Sequence, residues 1–193
     1  MKHKTLFSLL ATLGLVLALG SSIPMPRQVN AQSGMAAPSS AATAAQAGSG
    51  YISVAPGAFH PVSDDCDYIN YGSSLYNGSG GCAYVAPVQL PQGATVTKVT
   101  AYWADYSSDQ EANVFLNRVS HGDVTDETLA WMESSGSSGD GSSEDTSISY
   151  ATIDNSLYAY YVWWGLPDVN LTGKSIVVEY TYSTSLPLVQ RDS

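Results

Sequence analysis

The chain has 193 residues, 17 acidic and seven basic, for a formal charge of −10. Three of the bases, Lys2, Lys4 and Arg27, lie in the first 31 residues, which hold no acid, so the remainder carries four bases against 17 acids, 4 − 17 = −13. The four remaining cations, Lys98, Arg118, Lys174 and Arg191, are scattered and cannot form the basic stripe that nucleic acid or an anionic membrane requires, which excludes both partners.

In chain order, Lys2, His3 and Lys4 form a positive head before an apolar stretch over residues 6–19, which gives way to Gly20, Pro24 and Pro26. The stretch is shorter than a bilayer span, and Val29-Asn30-Ala31 offers small residues at a cleavage site. Residues 1–31 therefore read as a secretory signal peptide, with a secreted product in the extracellular space or cell envelope and no membrane insertion after cleavage. Residues 32–50 are dominated by Ala, Ser and Gly, with Met35 the one large apolar side chain. Such a segment buries too little to offset its ordering entropy and is expected to be a flexible linker. A single domain is expected over residues 51–184, followed by a polar tail over 185–193.

No part of that domain shows sustained helical periodicity. Short runs rich in Val, Ile, Thr, Tyr and Trp alternate with Gly, Ser, Asn, Asp and Pro, the signature of strands and turns. In residues 174–182, Ile176, Val178, Tyr180 and Tyr182 share one face, and Ser175, Val177, Glu179 and Thr181 the other. Residues 95–106 alternate likewise, with Val99, Ala101 and Trp103 opposite Lys98, Thr100 and Tyr102. Further strands are expected at 51–55, 83–90, 113–119, 128–133, 146–153 and 157–164. About eight strands in one domain predict an all-β fold, a two-sheet antiparallel β-sandwich with a jelly-roll-like course. Pro87 belongs at an edge or bulge, and the Gly/Ser-rich stretch 134–144 reads as a mobile surface loop.

Cys66 and Cys82 are the two cysteines, and in an exported chain they are expected to form a disulfide. The bridge would close a loop rich in Gly, Ser and Tyr that shows no strand of its own.

Sites for chemistry are few. His60 and His121 are the histidines of the domain, and neither stands in a Gly-x-Ser-x-Gly, His-Glu-x-x-His, Cys-x-x-Cys or P-loop context, so the sequence reads as cofactor-free and not as an enzyme. Acids cluster at Asp64-Asp65-Asp67, Asp105-Asp109-Glu111, Asp123-Asp126-Glu127 and Asp140-Glu144-Asp145. In loops these would be solvated, a poor setting for the paired carboxyls of glycoside hydrolysis. Loop acids suit a structural calcium better, and Asp64, Asp65 and Asp67 are the candidate ligands. Tyr158, Tyr160, Trp163 and Trp164 crowd one strand, and neighbours on a strand face opposite ways. An exposed Trp among Tyr residues is a platform for a sugar ring or a protein partner. Asn77-Gly78-Ser79 and Asn170-Leu171-Thr172 match glycosylation acceptors.

The stretch from Ala86-Pro87-Val88-Gln89-Leu90-Pro91-Gln92-Gly93 into Ala101-Tyr102-Trp103-Ala104-Asp105 resembles small exported β-sandwich domains of uncharacterised bacterial secreted proteins. So do Ile153-Asp154-Asn155-Ser156-Leu157-Tyr158, the final Glu179-Tyr180-Thr181-Tyr182, and Pro56-Gly57-Ala58-Phe59 at the start. The resemblance spans most of residues 51–183. It implies a sandwich in a bacterial envelope or extracellular setting and implies no activity.

The sequence thus reads first as a secreted, non-catalytic interaction or structural module with a protein or glycan partner at the cell surface. A carbohydrate-binding module, calcium-assisted, is the alternative, and a hydrolase using loop carboxylates a third. The oligomeric state is open.

Overall fold

The computed structural model describes residues 44–136 and 139–186. The expected signal peptide, most of the expected linker and the end of the expected tail lie outside the described residues. Within them the chain forms eleven strands and one 3₁₀ turn, Pro56–Ala58. The strands are β1 (Ala44–Val54), β2 (His60–Pro61), β3 (Asp67–Asn70), β4 (Leu75–Ser79), β5 (Cys82–Pro87), β6 (Thr95–Asp105), β7 (Asn113–Ser120), β8 (Asp126–Glu133), β9 (Gly139–Asp145), β10 (Tyr158–Leu166) and β11 (Leu171–Leu186).

One sheet runs β3-β4-β11-β6-β9, with β1 also paired to β11; the other runs β2-β5-β10-β7-β8. The pairs are antiparallel. From β4 onward the chain changes sheet at every connection but β7 to β8, so the expected two-sheet sandwich is the fold, on a jelly-roll-like course.

The two-residue alternation builds the core. In β11, Ile176 and Val178 point inward and are fully buried, and in β6, Val99, Ala101 and Trp103 do the same. They meet Val114 and Leu116 of β7, Leu129 of β8, and Val162 and Trp164 of β10. Trp164 is 0% exposed, edge-on to Phe59 with ring centroids 5.4 Å apart. Its indole rests against Gly173 of the opposite sheet, where a Cβ would come within 3.0 Å of the ring. Its N–H has no hydrogen-bond partner among the described residues, a penalty that packing on every side must outweigh.

Buried polar groups also join the sheets. The Asn77 amide donates to the carbonyls of Leu166, at 2.5 Å, and Gly80, at 3.0 Å, while its oxygen accepts the Tyr84 hydroxyl. With both ends of its amide engaged inside the protein, Asn77 is no glycosylation acceptor. Cys66 and Cys82 form the expected disulfide, with Cα atoms 5.6 Å apart. Cys66 stands just before β3 and Cys82 opens β5, so the bridge links one sheet to the other.

Four readings need correction. The segment between the cysteines contains a hairpin of its own, β3 and β4, whose register runs from Asp67↔Ser79 to Asn70↔Leu75. Residues 139–144 of the stretch expected as a mobile loop belong to β9 (Gly139–Asp145), which runs along the whole second half of β6. A glycine suits position 141 because the Trp103 indole lies against it, 3.0 Å from where a Cβ would be. Conversely, the expected strand at 146–153 is irregular, holding only an isolated bridge from Thr152 to Thr95 and a left-handed Tyr150 at φ 48°. Finally, residues 44–50, expected to belong to the flexible linker, are paired in β1 with β11, which runs on to Leu186. The residues that resembled a linker lie in β1 because Gly48 and Gly50 sit beneath the rings of Tyr182 and Tyr180, where any side chain would collide. Pro87 meets its expectation as the last residue of β5, beyond the reach of the two-residue edge strand β2.

Two stability outcomes follow from this packing. Replacing Cys66 and Cys82 by Ser is expected to cost about 3 kcal/mol, and Trp164→Ala about 3–5 kcal/mol. Urea unfolding of each variant beside the wild type checks both, and equal midpoints would contradict the assigned roles.

Candidate functional site

β10 divides the expected aromatic platform between two faces. Trp164 and Tyr160 face inward; Tyr160 is 4% exposed, and its hydroxyl accepts the Asp154 N–H at 2.9 Å. Tyr158 is on the same inward side, at the end of the sandwich. There the Arg118 guanidinium lies between the Tyr158 and Tyr150 rings, 4.0 and 3.9 Å from their centroids, and pairs with Glu127 at 2.7 Å. Trp163 and Tyr161 alone of this strand's crowded aromatics point outward, so three of the four expected platform residues belong to the interior or its rim.

Strand pairing supplies Trp163 with neighbours that were not anticipated. It stands opposite Val85 of β5 and Phe115 of β7; Phe115 stands opposite Trp131 of β8, and Val85 opposite His60 of β2. Paired residues share a face, so Trp131, Phe115, Trp163, Val85 and His60 form one row across the outer surface of the five-stranded sheet. The Phe115 ring is nearly parallel to Trp131, with centroids 6.5 Å apart, and edge-on to Trp163 at 5.5 Å. Trp131 is 50% exposed. The six-membered ring of Trp163 lies over Gly165, where a Cβ would come within 2.6 Å of it.

A second row runs beside the first. Pro87, Tyr161, Asn117 and Thr128 are in register, and the Thr128 hydroxyl donates to Asn117 at 2.9 Å. Burial first, then the adjacent Asp126 carboxylate, pushes the Tyr161 phenol up to about 12, against a smaller opposite effect from Asn117. On the other side, Asn113 and Glu133 stand in register with Gly165. Two depressions flank Trp163. One, of about 600 Å³, is walled by His60, Val85, Pro87, Asp126 and Tyr161; the other, of about 400 Å³, by Cys82, Ala83, Asn113, Gly165 and Pro167. The surface can take the flat apolar face of a ring on its aromatics and hydroxyl groups on the flanking amides, phenol and carboxylate.

The expected calcium ligands do not converge. Asp64 and Asp65 are exposed in the turn before Cys66, and Asp67 opens β3 with its carboxylate over Gly78. Among the described residues no three acids, histidines or cysteines are grouped to hold a metal ion. Of the acids expected to be solvated, Asp105 is fully buried at the end of β6. It accepts the Ser107 N–H at 3.0 Å and the Ser134 hydroxyl at 2.5 Å; Ser134 also contacts Glu111 and accepts the Ala112 N–H. These bonds bind the β6–β7 connection to the end of β8. Among the described residues one carboxylate, Asp126, lines the larger depression on the outer face.

No protein-family model matches the sequence, and no curated protein does. Among solved structures, the chain is similar to the carbohydrate-binding module CBM4, at 12% identity over 68% of this chain and 96% of that one, with a TM-score of 0.42. It is also similar to the family 11 carbohydrate-binding module from Clostridium thermocellum in complex with a β-1,3-1,4-mixed-linked tetrasaccharide, at 15% identity over 72% and 86% of the two chains and a TM-score of 0.34. A third similarity is to the Podospora anserina GH26-CBM35 β-(1,4)-mannanase, at 10% identity over 72% of this chain and 29% of that one, with a TM-score of 0.32.

Tyr84, like Tyr161, is pushed up to about 12, by burial first and then by the Tyr68 phenol and the Asp67 carboxylate. A phenol raised above its ordinary 10.0 favours the folded state in its protonated form. Its contribution is complete below pH 10 and is lost as the pH rises through about 12. The melting temperature is therefore expected to fall across that window, and phenolate absorbance of the native protein should lag by at least these two groups. All 13 tyrosines ionising together near pH 10 in the folded protein would contradict this.

Proposed function

We propose that this protein is a secreted, non-catalytic glycan-binding module whose ligand lies across the outer face of the five-stranded sheet. The observation that carries the reading is the in-register row Trp131, Phe115, Trp163 on that face, flanked by Asn113, Asn117, Tyr161 and Asp126. A sugar ring has an apolar C–H face and a rim of hydroxyls. An indole takes the first, while amides, phenols and carboxylates take the second. Rigid strands hold these side chains in place, so little ordering cost falls on binding. The Cys66–Cys82 disulfide fits an oxidising compartment outside the cytoplasm.

The test is a glycan array on the full chain, followed by calorimetry with the best-bound sugar. Trp131→Ala and Trp163→Ala are each expected to weaken binding about tenfold or more. Tyr51→Ala, on the other sheet, should leave affinity unchanged. Silence across the array, or binding indifferent to both tryptophans, would overturn the proposal.

A further inference from the structure

A third depression, of about 510 Å³, lies beyond the edge of the aromatic face, walled by Phe59, His60, Tyr68, Asn70 and Tyr71. His60 lines both this depression and the 600 Å³ one beside Trp163. It belongs to β2, the edge strand of the five-stranded sheet, while Tyr68 and Asn70 belong to β3, the edge strand of the other sheet. The surface therefore leaves the sheet face at His60 and turns over the open side of the sandwich. The turn is built. The Asn70 amide donates to the Pro56 carbonyl at 2.8 Å and its oxygen accepts the Gly72 N–H at 2.9 Å, while Gly57 and Gly72 close the floor back to back. At the far end Tyr71 is 68% exposed, its ring 5.9 Å from that of Tyr76.

We infer that the two depressions form one continuous track, and that its ligand is a neutral, extended glycan chain rather than a single sugar or a short cap. This rests on the glycan reading above and adds length and charge to it. From Trp131 on β8 to His60 on β2 the row crosses four strand spacings, about 19 Å, which an extended chain of roughly four sugar rings would cover. The depression at Tyr71 extends the track past that point. Charge selects the ligand further. Among the described residues no Lys or Arg lines either depression, Asp126 does, and the chain as a whole carries −10. An acidic polysaccharide would meet repulsion with no compensating cation, whereas hydroxyl-bearing neutral sugars would not.

The experiment is calorimetry of the full chain with neutral β-1,4-linked gluco-, manno- and xylo-oligosaccharides of increasing length, with oligogalacturonate as the anionic arm. In the series that binds, affinity is expected to rise about tenfold beyond the tetrasaccharide. Tyr71→Ala, at an exposed turn, should remove that rise and leave trisaccharide binding unchanged. Trp163→Ala should weaken every length. Affinity flat beyond the tetrasaccharide, or a Tyr71→Ala variant with no length-specific effect, would overturn the continuous track while leaving binding at Trp163 standing. Oligogalacturonate binding as tightly as the neutral series would overturn the charge selection. An absence of binding in all series, joined to a silent array, would instead remove the glycan reading and this inference with it.

Discussion

Trp164 holds this sandwich together, and its position governs that of nearly everything else. The indole fills the space between the sheets only because Phe59 meets it edge-on and Gly173, on the opposite sheet, has no side chain to bar its approach. Once Trp164 is inside, strand geometry leaves Trp163 no choice but the outer face. The register of β10 with β7 and of β7 with β8 then brings Phe115 and Trp131 alongside. A slip of one residue would bury the wrong tryptophan and scatter the row. Core packing and the binding surface are thus two readings of one register.

How much of this could be read from the amino acids depended on whether the signal was local. The alternation in β6 and β11 is a property of consecutive residues, and their inward faces, Val99-Ala101-Trp103 and Ile176-Val178, are those the pattern indicates. Composition misled at β9 and at the start of β1. Gly and Ser were taken as signs of loop and linker, yet Gly141, Gly50 and Gly48 lie against the rings of Trp103, Tyr180 and Tyr182, where a Cβ would crowd them. A glycine beneath an aromatic ring in a neighbouring strand looks, along the chain, the same as a glycine in a flexible segment.

The candidate site was half legible for the same reason. That one of the adjacent tryptophans must face outward follows from pleating; that it is Trp163 depends on the contacts of Trp164 with Phe59, remote in sequence, and with Gly173 across the sandwich. Trp131 and Phe115 could not be joined to it before the strand order was known, because nothing in residues 113–133 points to residue 163. Asp105, read as a solvated loop acid, is buried because Ser107 and Ser134 satisfy its oxygens, and Ser134 approaches from the end of a different strand.

The pairing of β1 with β11 has a kinetic side. Ala44 lies opposite Leu186 and Val54 opposite Ile176, so these two strands come from opposite ends of the domain. The loop to be closed before they meet is almost the whole domain, the slowest kind of contact to form. A chain made from its N-terminus produces β1 first and must hold it unpaired until its partner exists. The bare stretch at Gly48 and Gly50, with nothing large or apolar to expose, suits a strand that has to wait.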